Sequence, residues 1–195
     1  MPTRSEALEA LLSEIRSEFP RFRIVPKRGD RLSRVIDLAL RVLTLGQMRE
    51  YMTHYHTVVF DTLYVPDGWE RTSPERMMVV LRHERVHLRQ RRRYGTLWMA
   101  FLYAVPILPL GLALGRARIE WEAYAETIRA TADLLGEEEA RSASLRAHVV
   151  RQFTSASYGW MWPFPSTVNR WYDDVLETFR GEDRSGTGEP QQGKA

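Results

Sequence analysis

The run from Tyr94 to Gly115 contains no charged side chain, and Arg93 and Arg116 close it at its two ends. Its 22 residues are enough to cross a bilayer as one helix. Its flanks argue against that. Upstream lies "HERVH", His83 to His87, and downstream lies "EWEAYAE", Glu120 to Glu126. If residues from both flanks hold one ion, a single crossing is impossible, because it would separate them by about 30 Å of hydrocarbon. Pro106, Pro109 and Gly111 also interrupt the run near its middle, which favours two short arms around a turn. The arms are expected to bury in the core or line a cleft; the alternative is peripheral membrane contact through residues 97–114.

The upstream flank carries the chemistry. His83 and His87 are four residues apart, so on a helix both imidazoles leave the same face one turn apart. Two such rings can grip one Zn²⁺. Glu84 follows the first histidine and is placed to hold the ion's water without ligating the ion, the position a general base needs. Composition alone yields this pattern about 0.01 times in a chain of this make-up. Preceded by "MMVVL", the segment reads as a packed helix, with Arg82, Arg85, Arg89, Arg92 and Arg93 turned away from the histidines.

A catalytic zinc needs a third protein ligand and one open position. In "RARIEWEAYAET", residues 116–127, Trp121, Ala125, Ile128, Ala132 and Leu135 form an apolar helical stripe, with Glu120 and Glu122 on opposite flanks. The flank of Glu120 continues through Ala117, Tyr124, Thr127 and Thr131 without another charge, whereas that of Glu122 continues through Arg118, Glu126 and Arg129 and reads as solvent-facing. A carboxylate alone on a half-buried flank needs a cation to compensate it, so Glu120 is the preferred ligand and Glu122 the alternative.

"HERVH" followed by "EWEAYAE" resembles the gluzincin zinc metallopeptidases, among them the thermolysin-like and CAAX-type endopeptidases. Glu120-Trp121-Glu122-Ala123-Tyr124 is similar to the family's E-x-x-A-D pattern, with Tyr124 where the family has an Asp that supports a zinc-binding histidine. A shifted register, Glu122 to Glu126, fits about as well. The resemblance covers roughly residues 57 to 130. It implies a zinc-dependent peptidase acting on peptide or protein substrates, with His83, His87 and Glu120 on the metal and Glu84 as base. It also implies an edge strand beside the cleft, and residues 55–65 correspond to it in position and composition. Tyr158, His148, Tyr124 and His56 are the candidates for stabilising the oxyanion. Were the metal purely structural, His54 or His56 would supply a fourth ligand and the protein would be a non-catalytic zincin-like binding module.

The remaining chain predicts an α+β fold, mainly helical, with a small sheet or hairpin before the histidine helix, and the resemblance implies that it is zincin-like. An amphipathic helix opens it, with Leu8, Leu11, Leu12, Ile15 and Phe19 on one stripe; this charged opening lacks the apolar core of a secretory leader, which favours the cytoplasm. "RFRIVPK" reads as a strand, residues 32–45 as a helix, and "YHTVVFDTLYVPDGW" as a bent strand or hairpin. Further helices are expected over 74–93, between Ser73 and Gly95, and over 116–135, 137–153 and 166–179. Residues 1–180 form one domain and 181–195 a disordered tail. "SYGWMWPFPSTVNRWY" packs Trp160, Trp162, Phe164 and Trp171 together, as a core would.

Composition excludes several classes. Without cysteine there is no disulfide, thiolate site or cysteine nucleophile. Twenty-six of the 28 basic residues are arginine, yet the net charge is only +3. That argues against nucleic acid as a partner, which needs a concentrated basic face.

Overall fold

The structure, a computed structural model, describes residues 2–27, 56–99, 114–155 and 161–186. The expected helix over 32–45, the middle of the uncharged run, His54, Tyr158 and Trp160 lie outside these residues.

Helix α1 (Arg4–Glu18) opens on a reciprocal cap, the Thr3 hydroxyl accepting from the Glu6 amide at 3.2 Å and the Glu6 carboxylate from the Thr3 amide at 2.6 Å. Its stripe buries Leu12 and Ile15, and Phe19 follows them inward. Strand β1 (Arg23–Pro26), β2 (Thr57–Val59) and β3 (Thr62–Val65) form a sheet in the order β1-β3-β2. β1 runs parallel to β3, and β2 is its antiparallel partner in a hairpin, pairing Val58 with Leu63. Phe60 makes the reversal at φ 54°, a left-handed conformation that a tight turn imposes on a bulky residue.

Helix α2 (Pro74–Tyr94) starts where Ser73 caps the Arg76 amide and stops at Gly95, whose φ of 84° suits glycine. Helix α3 (Leu114–Leu135) returns antiparallel beside it: Arg82 reaches Glu126 and Asp133 near its far end, and Gln90 reaches Ile119 near its start. A short helix α4 (Glu137–Ala140), α5 (Ala143–Thr154) and α6 (Pro165–Gly186) complete the description. The single helix expected over 137–153 is thus broken: Ser142 leaves helical geometry and caps a new helix through the Leu145 amide. The last helix continues to Gly186, past the expected start of a disordered tail at 181.

Two apolar cores result. One gathers Leu12 and Ile15 of α1 and Phe19 just beyond it, Leu63 and Val65 of β3, and Leu81 and Leu88 of α2. The other gathers Ala125 and Ile128 of α3 with Val149 and Phe153 of α5 and Val168 and Tyr172 of α6. Trp121, Trp162 and Trp171 pack against the second, whereas Phe164 is exposed. The seam between the cores is the α2–α3 contact, and it is polar. The architecture is a mostly helical α+β fold with a small sheet; no described helix is long and apolar enough to cross a membrane.

Candidate metal centre

The seam holds the expected triad. One ligand atom each from His83, His87 and Glu120 lies within 4.8 Å of the others, and all three residues are half-buried. His87 Nε2 stands 3.2 Å from His83 Nε2 and 3.7 Å from Glu120 Oε2.

Neighbouring hydrogen bonds fix which ring nitrogens face inward. The Thr127 hydroxyl donates its proton to the Ala123 carbonyl at 3.2 Å, leaving its oxygen to accept from His83 Nδ1 at 2.9 Å. The Gln90 amide nitrogen donates to the Ile119 carbonyl at 3.0 Å and to Glu122 at 2.8 Å, so its oxygen accepts from His87 Nδ1 at 3.0 Å. With both Nδ1 atoms carrying protons, two Nε2 lone pairs face each other, an arrangement that repels unless a cation lies between them. Two tetrahedral zinc ligands at 2.0–2.1 Å would be about 3.3 Å apart, close to the separation found. The donor set of two imidazoles and a carboxylate therefore fits zinc, and outward-held Nδ1–H groups are the usual support of such ligands.

Glu122 is held by Gln90 on the other side of the helix contact and takes no place in the triad. Its flank is largely a solvent face, with Arg118, Glu122 and Arg129 exposed, although Glu122 accepts from Gln90 and Glu126 from Arg82 at 2.6 Å. Arg85, Arg89 and Arg92 converge on Glu18 of α1, whose carboxyl the Arg89 hydrogen bond, and then Arg85, hold down at about 2, and Arg91 pairs with Asp61.

Glu84 is buried one residue after His83. Burial pushes its carboxyl up to about 7; Glu120 pushes the same way, while His87 and Lys27 oppose. Lys27, 1% exposed at the end of β1, also helps burial hold His56 down at about 4. Burial, then His87, then the more distant His56 and His148, keep His83 well below the ordinary histidine range, favouring the neutral ring a ligand must be. Of the expected oxyanion donors, Tyr124 meets the His83 ring edge-on at 4.9 Å, and His148 follows 6.5 Å from Tyr124. His56 packs on Trp69 and is not part of the triad.

Gln90, Thr127 and Lys27 were not anticipated. Gln90 was readable in principle, since it lies three residues beyond His87 on the same helical face. Thr127 occupied the uncharged flank of Glu120 without a role assigned to it. Lys27 offered no signal beyond ending a strand.

A cavity of about 840 Å³ lies away from this triad, between Phe19, Arg23, Phe60, Tyr64, Arg91 and Thr96. No protein-family model, curated protein or solved structure matches the chain.

Proposed function

We propose that the chain is a zinc-dependent peptidase in which His83, His87 and Glu120 hold the metal and Glu84 is the general base. The observation that carries this reading is the pair of inward Nε2 atoms, 3.2 Å apart, beside a buried carboxyl on the same helix. Zinc bound there would supply Lewis acidity toward a peptide carbonyl and make water nucleophilic near neutral pH. Glu84, held near 7 by burial, is matched to taking a proton from that water and returning it to the leaving amine. Thr127 and Gln90 keep the imidazoles in the ligating tautomer and orientation. Strand β2, at the end of the strand order and packed against α2, would pair with an extended substrate backbone.

The test is metal analysis beside a peptide-library digest, on the wild type and on Glu84→Gln. Near-stoichiometric zinc in both, with cleavage by the wild type alone, is expected. Cleavage retained by Glu84→Gln would remove the assigned base.

A second reading is a structural metal that knits the two halves together. The cross-helix links from Gln90, Thr127 and Arg82 around the triad favour it. A structural site closes its fourth position, so a peptide hydroxamate would bind only if the peptidase reading holds.

A further inference from the structure

The antiparallel α2–α3 pair has one end unlike the rest of the surface. Gln90 opposite Ile119 sets the alignment, so Leu114 at the start of α3 lies level with the residues just beyond the end of α2. There Leu97 is 89% exposed, Trp98 52% and Leu114 50%, while Met99 is buried. Phe60, 62% exposed, shares a cavity wall with Arg91, Arg92 and Thr96, which brings the β2–β3 turn to the same end. Four of the six large apolar side chains exposed among the described residues therefore gather at one place.

Cations ring them. The cavity of about 840 Å³ is lined by Arg21, Arg23, Arg91 and Arg92, with Asp61 the single acid among its walls. Arg93 is exposed one turn before Leu97, and Arg118 is exposed one turn after Leu114 on the same helical face. Arg92 shares Glu18 with Arg85 and Arg89, so one carboxylate faces three guanidinium groups. The stretch of sequence joining Met99 to Leu114 carries no charge at all.

We propose that this end of the molecule docks on an anionic lipid bilayer. Leu97, Trp98, Leu114 and Phe60 would enter the headgroup boundary, and the surrounding arginines would meet lipid phosphates and carboxylates. Exposed aliphatic and indole side chains inside a cationic ring match the two-part attraction of interfacial anchors, apolar insertion plus charge. A soluble peptide partner of acidic character would use the arginines but leave Leu97 and Trp98 in water. The proposal needs neither zinc nor hydrolysis, so it stands or falls separately from the peptidase reading.

The test is sedimentation of the full chain with vesicles of phosphatidylcholine alone and of phosphatidylcholine mixed with phosphatidylserine. Binding to the mixed vesicles at least tenfold above the neutral ones, declining as salt is raised, is expected. Leu97→Asp/Trp98→Asp should abolish it, and Arg21→Glu/Arg118→Glu should weaken it by about fivefold or more for each arginine removed. Helix content by circular dichroism serves as the folding control. Should the aspartate variant misfold, the arginine variant decides, together with quenching by brominated lipid that Trp98→Phe must reduce. No sedimentation, equal binding to neutral vesicles, variants that bind like the wild type, or a lipid-independent dimer lost in Leu97→Asp/Trp98→Asp would each overturn the proposal.

Discussion

The two faces of α2 are held by different physics. Toward α1 and the sheet it presents Leu81 and Leu88, each 1% exposed, in an apolar core. Toward α3 it presents His83, His87 and Gln90, whose every polar atom needs a partner of the right kind in the right direction. Burial of hydrocarbon is non-directional and tolerates substitution as long as volume is kept. A polar seam gains only when each donor and acceptor is matched, and a single unmatched group costs its full desolvation. The first face thus carries stability, and the second is free to carry chemistry.

Substitutions can try to break that division. Glu84→Gln should lower peptide hydrolysis by about 10²–10⁴-fold, while zinc content and melting temperature stay near wild type; a large fall in melting temperature would show that the seam also carries stability. On the opposite face, Leu88→Ala should cost about 2–5 kcal/mol in denaturant unfolding and leave zinc affinity unchanged. Gln90→Leu and Thr127→Val should each weaken zinc affinity by about 10–100-fold in competition with a chelator, because they release a ligating ring without removing it. The smallest effect sharpens the comparison at the α1 contact. Glu18 has a carboxyl lowered from 4.5 to about 2, first by the Arg89 hydrogen bond and then by Arg85. A depressed folded-state pKa gives stability that is present above the unfolded value and is lost as pH falls from 4.5 toward 2. Glu18→Gln should remove about 1 kcal/mol of that acid-sensitive stability, since water screens much of the attraction. Acid titration followed by circular dichroism reads the difference.

Much of the fold was legible because local rules and global packing agree. Ser73, Pro74 and Gly95 bound α2 as capping chemistry requires, and the stripe of α1 buries the residues its spacing nominates. The triad was legible for the same reason: helical spacing puts His83 beside His87, and a lone carboxylate on an uncharged flank singles out Glu120. The other flank does face solvent at Arg118, Glu122 and Arg129; what spacing alone could not give is that α2 supplies partners for Glu122 and Glu126. The break at Ser142 was hidden by a hydrophobic period that continues across it, while the side-chain cap decides the matter locally. Within the uncharged run, hydropathy could not separate buried Met99 from exposed Leu97 and Trp98, since it reports what a side chain prefers and not what lies beside it.

The facing nitrogens of His83 and His87 have a consequence for the lifetime of the protein. On the zinc reading proposed above, a chain without the ion keeps two like dipoles pressed together at the α2–α3 joint, and that joint is where unfolding should begin. Cellular zinc supply would then set how long each copy survives proteolysis, before any question of turnover arises.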